Sequence, residues 1–264
     1  MTNRGARVTK DDMFDLALDE PVARLSLNRP EAHNAIPQAG WAELERVLDK
    51  LAVIRPRVLL LHSHDPGQFC AGADLGDLAE LAGNAEARRD MRATMRAALD
   101  RLASLPFPVI AAIDGACFGA GVALALACDV RVAGHGARFS IPPARLGIGY
   151  PHEDVARLVG LIGWGQASRM LFTATPYDST QALAMGLVEM ADGSAWAAAN
   201  ELATTIAGNA SGSMAMLKRS IALAAAGTST STEMDEAFEA SFASDEFAER
   251  MAVLHARRSP GGGR

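Results

Sequence analysis

The sequence predicts an α/β core followed by an all-helical C-terminal region, and three observations support this fold class. Up to about Trp196, short apolar runs that suit buried strands alternate with longer stretches of helical periodicity. The connections between them are short, which favours parallel strands joined by right-handed crossovers. Beyond Trp196 the strand pattern disappears and only helical spacing remains. We therefore predict two regions, a core of residues 1–195 and a helical region of residues 196–264.

Five segments of the core are predicted to be strands. Residues 13–19 and 22–28 alternate apolar and polar side chains, and Glu20-Pro21 between them predicts a turn. Two more are continuous apolar runs of the kind that lies inside a sheet, residues 58–61 and 109–113. Residues 129–133 are predicted to form a further short strand.

Helical spacing of apolar residues predicts the remaining elements of the core. In the first helix these residues recur at three- and four-residue intervals, and Pro37 suits its first turn. The longest helix is amphipathic and ends before Pro106, because a proline disfavours helical geometry in the residue that precedes it. The predicted core helices are residues 37–53, 74–81, 86–105, 121–128 and a helix that runs to Leu161.

The C-terminal region is predicted to contain four helices, at residues 197–207, 213–225, 231–242 and 245–257. They carry more apolar side chains than four short helices need for their own packing. We therefore expect these side chains to form contacts between subunits: Leu217, Ile221, Leu223, Phe238, Phe242, Met251 and Leu254.

Two segments built almost wholly from small residues join a strand-like run to a helical one. They are residues 69–75, Phe-Cys-Ala-Gly-Ala-Asp-Leu, and residues 115–121, Gly-Ala-Cys-Phe-Gly-Ala-Gly. Small residues at such a junction leave backbone N–H groups open. Two N–H groups that converge on one point make an oxyanion hole, which stabilises charge on a carbonyl oxygen. Taken singly, each segment is also typical of an ordinary tight turn.

Composition and charge exclude several classes of function. The net charge of −6 argues against nucleic acid as a partner, and the apolar runs are too short to cross a bilayer. Residues 1–12 show no apolar signal core, and the three cysteines have no metal-like spacing. We predict a cytoplasmic protein with reduced thiols and no metal. His62-Ser63-His64-Asp65 could bind a metal but is more typical of a polar turn.

Six segments in register resemble the crotonase (enoyl-CoA hydratase/isomerase) superfamily: residues 28–35, 69–75, 108–115, 127–133, 181–188 and 253–258. The resemblance implies a ClpP-like spiral of ββα turns with a C-terminal helical trimerisation region. It also implies an acyl-CoA thioester as the ligand and assembly into trimers, or into hexamers that are dimers of trimers. Coenzyme A is then part of the substrate, and no cofactor is expected.

The resemblance also implies which residues form the site. Ala73 and Ala120 would supply the two oxyanion N–H groups, and the loop of residues 28–35 would hold the coenzyme A head. Asp74 is also typical of a carboxylate at a helix start. The implied substrate-binding residues are Glu31, Ala32, Asn34, Ala71, Gly72, Asp74 and Gly119.

The sequence departs from the family at the two glutamates that its hydratases place around one water molecule. In this register the two positions hold Ala123 and Pro143. Neither side chain can move a proton, so we predict that the standard hydration machinery is absent. Tyr150, His152 and Glu153 are the candidate acid/base residues in its place. A carboxylate at this point is also typical of a helix start, where it stabilises the dipole.

Three functions are compatible with this pattern. The first is an acyl-CoA enzyme of the enoyl-CoA hydratase/isomerase type. The second is a catalytically silent acyl-CoA carrier or sensor. The third is an enzyme that resembles methylmalonyl-CoA decarboxylases and uses Tyr150, since those proteins share Pro143, Tyr150 and a segment like residues 172–176. They retain a glutamate at the position of Ala123, so this last match is incomplete.

Overall fold

A computed structural model of the protein describes residues 13–258, and the predictions for residues 1–12 lie outside this range. Ten strands are present: β1 Phe14–Asp19, β2 Val22–Leu27, β3 Val58–Ser63, β4 Gln68–Cys70, β5 Val109–Ile113, β6 Ala116–Phe118, β7 Val130–Gly134, β8 Arg138–Ser140, β9 Tyr177–Asp178 and β10 Met190–Asp192 among the described residues. The described α-helices are α1 Gln38–Ile54, α2 Leu75–Glu80, α3 Ala85–Ala103, α4 Ala120–Leu126, α5 His152–Thr173, α6 Ser179–Ala184, α7 Ala195–Ala207, α8 Ser211–Ala225, α9 Thr232–Ser241 and α10 Asp245–Arg258.

The larger sheet has six strands in the order β1-β2-β3-β5-β7-β10. Only β1 and β2 are antiparallel, as the predicted turn at Glu20-Pro21 requires, and the other neighbours run parallel. The prediction of an α/β core built on parallel strands is therefore confirmed. A second sheet of four short strands has the order β4-β6-β8-β9.

The apolar face of α1 packs on α3 and forms one side of the core. Trp41, Leu44 and Leu48 of α1 and Leu99 of α3 are fully buried. Burial of a leucine side chain contributes about 1.5–3 kcal/mol, so this contact anchors both helices against the sheet.

The chain divides into two compact units, the first ending at Ile206 and the second beginning at Ala207. Almost all of α7 thus belongs to the first unit, whereas the predicted boundary at residue 195 lies one helix earlier.

The second unit contains α8, α9 and α10. Helices α8 and α9 bury no residue at all. Five of the seven apolar side chains expected at subunit contacts are exposed by 47–69% in the single chain: Leu217, Ile221, Phe238, Phe242 and Leu254.

Within residues 13–258, the structure contains no helix with the length and apolar character needed to cross a bilayer.

Candidate functional site

The first small-residue segment follows β4 and is held in place through its backbone. The N–H of Ile36 donates to the oxygen of Gly72 over 2.8 Å, and the N–H of Asp74 donates to the oxygen of Ile36 over 3.1 Å. Ile36 therefore pairs with the residues on either side of Ala73, in a parallel bridge. In such a bridge the N–H of Ala73 points away from Ile36. Among the described residues this N–H has no acceptor.

The second small-residue segment follows β6 and begins α4. Gly119 has φ 49° and ψ −112°, a conformation that residues with a Cβ rarely adopt. Ala120 is the first residue of α4, so its N–H has no acceptor within the helix. No other acceptor for this N–H occurs in the described part of the chain.

The structure brings the two segments into direct contact. Strands β4 and β6 are neighbours, with Cys70 opposite Cys117. A Cβ added to Gly72 would lie 3.6 Å from the nitrogen of Ala120, and one added to Gly121 would lie 2.8 Å from the Cβ of Cys70. The absence of side chains at these glycines is what allows the backbone around Ala73 to approach the start of α4.

The loop of residues 28–35 is tied to this site by Asn34, which is buried. Its Nδ2 donates to Ser63 Oγ over 2.8 Å and to the oxygen of Phe69 over 3.1 Å, and its Oδ1 accepts from the N–H of Arg29. The side chain of Asn34 is thus engaged within the protein. These contacts fix the shape of the loop.

Two other residues expected to bind substrate also have partners within the protein. The N–H of Ala71 donates to the oxygen of His33 over 3.0 Å. Asp74 accepts from the N–H groups of Gly76 and Asp77 as the N-cap of α2, which agrees with its interpretation as a helix-start carboxylate. Arg29 lies 2.6 Å from the same carboxylate, and the hydrogen bond from Arg29 lowers the pKa of Asp74.

Glu31 and Ala32 lie in a single turn of 3₁₀ helix, Pro30–Ala32, at the tip of the loop. The carboxylate of Glu31 is largely exposed and lies 3.6 Å from Arg29. The turn at the tip of the loop is therefore already folded in the absence of a ligand.

Tyr150 lies against the second small-residue segment. Its hydroxyl donates a hydrogen bond to the oxygen of Gly119 over 3.0 Å. Burial raises the pKa of Tyr150 well above its ordinary value, and the nearby charge of Asp154 raises it further.

The three residues at the start of α5 have different environments. His152 and Glu153 are exposed, and Glu153 lies 3.6 Å from Arg92. Asp154 is fully buried, 3.2 Å from Arg96 Nη1 and 3.6 Å from Arg157 Nη1, and burial raises its pKa. Of these two acids, Asp154 is the one whose charge acts on Tyr150, whereas Glu153 was the candidate named from the sequence.

The two positions that the resemblance assigns to the family's glutamates hold apolar side chains in different environments. Ala123 is 1% exposed on α4, and Pro143 begins a 3₁₀ helix, Pro143–Leu146, in the loop before Tyr150. Neither position offers a group that exchanges protons.

A cavity of about 530 Å³ is lined by described residues outside the two small-residue segments, among them His62, His64 and Trp196. The ring of His62 lies 4.3 Å from that of Trp196 between centroids, tilted by 50°, and burial lowers the pKa of His62 from 6.5 to about 4. Across the described residues, no group of three or more His, Cys, Asp or Glu side chains could hold a metal ion.

All three cysteines are buried and free of disulfides. Burial raises the pKa of Cys70 to about 12 and that of Cys117 well above its ordinary value. The thiols of Cys70 and Cys117 therefore stay protonated at neutral pH, and a protonated thiol is a poor nucleophile.

An α/β core of mainly parallel strands, with two adjacent strand-to-helix segments whose N–H groups have no acceptor among the described residues, agrees with the crotonase fold. The family model described as "Enoyl-CoA hydratase/isomerase" matches residues 18–260. The chain belongs to the enoyl-CoA hydratase/isomerase family.

Solved structures share this fold over nearly the whole chain. An enoyl-CoA hydratase/isomerase family protein from Hyphomonas neptunium is 33% identical, covers 93% of this chain and 95% of its own, and has a TM-score of 0.89. An enoyl-CoA hydratase/carnithine racemase from Magnetospirillum magneticum is 27% identical, covers 96% of each chain and has a TM-score of 0.90.

Among characterised relatives, human mitochondrial methylglutaconyl-CoA hydratase is 33% identical over 184 residues, or 68% of this chain and 54% of the human protein. The match thus spans about half the length of that relative. The enoyl-CoA isomerase/hydratase fer4 of Mycosarcoma maydis is 36% identical over 181 residues, or 64% of each protein.

Proposed function

We propose that this protein binds acyl-CoA thioesters and holds the thioester oxygen between the N–H groups of Ala73 and Ala120. The observation that carries the proposal is the direct approach of the two segments at Gly72, with both N–H groups lacking acceptors in the described chain. When the α-carbon of an acyl thioester loses a proton or a carboxylate, the carbonyl becomes an enolate and its oxygen gains charge. Backbone donors fixed at that oxygen stabilise this charge.

The coenzyme A head would lie along the loop of residues 28–35. Ala71, which is hydrogen-bonded to His33 of this loop, would also contact the head. Asn34 and the pair of Arg29 with Asp74 hold this loop against the first small-residue segment. The loop is therefore formed before any ligand arrives, which lowers the entropic cost of binding.

The reaction is proposed as that of a lyase or isomerase of the family, acting on the α- and β-carbons of the acyl group. With Ala123 and Pro143 in place of the two glutamates, ordinary hydration of an unsaturated ester is not expected. The same replacement favours a second candidate, a carrier or sensor that binds acyl-CoA without converting it. Turnover assays on enoyl-, methylmalonyl- and 3-enoyl-CoA esters separate the two, because a carrier converts none of them.

Acyl-CoA binding is expected even if no hydration occurs, since backbone donors need no glutamate. Butyryl-CoA should bind about tenfold more tightly than its thioether analogue, S-butyl-CoA, because two hydrogen bonds contribute roughly 0.5–1.5 kcal/mol each. Isothermal titration calorimetry measures both affinities. The thioether is the matched control, since it keeps the chain and the coenzyme A head and lacks only the carbonyl oxygen. If no thioester of any chain length binds, neither the enzyme nor the carrier function can stand.

We also propose that the chain assembles into a trimer or a hexamer through α8, α9 and α10. The exposed side chains of Ile221, Phe238 and Phe242 support this, because large apolar side chains exposed to water favour association. Sedimentation velocity at micromolar concentration should show a species of three or six chains. Ile221→Glu should shift that species toward the monomer. A wild-type monomer under the same conditions would contradict the proposed assembly.

A further inference from the structure

The hydroxyl of Tyr150 donates to the oxygen of Gly119 over 3.0 Å, and that carbonyl belongs to the same amide group as the N–H of Ala120. We propose that Tyr150 is a positioning residue that acts through this amide, by fixing its orientation and strengthening the Ala120 N–H as a donor to the thioester oxygen. This inference rests on the proposed function, because it concerns one of the two proposed donors.

The orientation of the amide follows from the hydrogen bonds at its oxygen. The oxygen of Gly119 also accepts from the N–H groups of Val122, over 3.0 Å, and Ala123, over 3.2 Å. These bonds and the bond from Tyr150 hold the carbonyl toward α4 and α5. A trans amide is planar, so its N–H points in the opposite direction. The first small-residue segment lies close to this nitrogen, since a Cβ added to Gly72 would be 3.6 Å from the nitrogen of Ala120.

The strength of the donor follows from polarisation. A hydrogen bond to an amide oxygen draws electron density away from the nitrogen, and this makes the N–H a better donor. Hydrogen bonds linked in this way strengthen one another by about 10–30% each in a protein interior. The bond from Tyr150 is partly buried, which reduces competition from water.

The geometry distinguishes this role from direct proton transfer. A tyrosine hydroxyl has one hydrogen, and here that hydrogen is directed at the oxygen of Gly119. Burial, and next to it the charge of Asp154, raise the pKa of Tyr150, so the hydroxyl keeps its hydrogen at neutral pH. Tyr150 thus acts on the thioester indirectly, through the amide group between Gly119 and Ala120.

The test uses Tyr150→Phe, which keeps the ring and removes the hydroxyl, with Tyr177→Phe as its control. The chain contains two tyrosines, and the hydroxyl of Tyr177 is buried without a hydrogen-bond partner among the described residues. The readout is the carbonyl stretching frequency of bound butyryl-CoA labelled with ¹³C at the thioester carbon, measured by isotope-edited infrared spectroscopy. A purely structural role for the hydroxyl would not move this band in correctly folded protein.

We expect the wild-type protein to lower the stretching frequency on binding, Tyr150→Phe to return it part of the way to that of the free ester, and Tyr177→Phe to leave it unchanged. The affinity advantage of butyryl-CoA over S-butyl-CoA should fall several-fold in Tyr150→Phe, while the affinity for S-butyl-CoA stays constant. A band in Tyr150→Phe that coincides with the wild-type band would overturn the inference. A wild-type band that does not move on binding would instead remove the proposed function itself.

A second variant keeps the inference testable if Tyr150→Phe does not fold. In the Tyr177→Phe background Tyr150 is the only tyrosine, so growth on 3-fluorotyrosine replaces it alone. The fluorinated hydroxyl is a stronger donor, and we expect it to lower the stretching frequency further. An unchanged or raised frequency would contradict the role of Tyr150.

Discussion

Hydration of crotonyl-CoA by this protein is expected to be at least about 10⁴-fold slower than by a two-glutamate member of the family. Each general acid or base contributes about 10²–10⁴-fold to such a reaction, and both expected positions are without one. Ala123 is 1% exposed on α4, so solvent cannot take over the missing role at that point. Spectrophotometric assay of the enoyl thioester, with a two-glutamate relative at equal concentration, measures the ratio.

Restoring a single glutamate should change little. Ala123→Glu is expected to raise the hydration rate by less than tenfold, because Pro143 still supplies no partner for the proton transfers. The double variant Ala123→Glu/Pro143→Glu should raise the hydration rate by a factor larger than the product of the two single-variant factors. The reason is that the two carboxylates act on the same water molecule. A wild-type rate like that of ordinary hydratases would show that another residue, with Asp154 the first to examine, does this work.

Gly115→Ala is expected to destabilise the protein by more than about 4 kcal/mol, which is exceptional for one methyl group. Gly115 starts the second small-residue segment with φ +72°, and an added Cβ would lie 2.0 Å from the carbonyl carbon of Gly67. That neighbour is backbone and cannot rotate away, so the entry to β4 would have to move. Urea denaturation at fixed protein concentration measures the change in the free energy of unfolding.

Gly147→Ala is the matched control for this substitution. Gly147 has the same φ of +72°, but nothing lies within 4 Å of its added Cβ. Its substitution should therefore show only the cost of the left-handed conformation, about 1–2 kcal/mol. Equal losses in the two variants would mean that the contact with Gly67 does not constrain the segment.

The long elements could be predicted from the sequence because their periodicity extends over several turns. Helix α1 was predicted at residues 37–53 and runs from Gln38 to Ile54, with the expected face buried. Strands β3 and β5 were found because each is a continuous apolar run inside a parallel sheet. In such elements local pattern and tertiary environment agree.

Strands β4, β6, β8, β9 and β10 have two or three residues each and were missed. A period of two cannot be recognised over so few positions, and these strands exist because their backbones pair with distant segments. The predicted end of helix α5 at Leu161 lies two residues before a break at Gly163, which has φ 75° and ψ 164°. The second helical stretch, from this break to Thr173, was not predicted. Gly160, Gly163 and Gly165 interrupt the helical spacing of apolar residues in this stretch, so the sequence pattern did not predict a helix there.

The small-residue segments of the site could be predicted, but the roles of side chains near them could not. Tyr150 could be predicted as a candidate residue from the sequence. Its hydrogen bond to the oxygen of Gly119, which lies 31 residues earlier, could not. Glu153 and Asp154 are adjacent acids, and only the packing of α3 against α5 places Asp154 beside Arg96 while Glu153 stays exposed. Such partners are determined by tertiary contacts between segments that are distant in the sequence, and neither segment's local pattern predicts the other.

The most direct test of the central claim is a crystal structure of the protein with butyryl-CoA bound. We predict that the thioester oxygen lies about 2.7–3.1 Å from both the nitrogen of Ala73 and the nitrogen of Ala120, the range expected for oxyanion donors. The hydroxyl of Tyr150 should remain on the oxygen of Gly119 in that complex. A thioester oxygen that contacts neither nitrogen, with the ester bound elsewhere on the chain, would contradict the account.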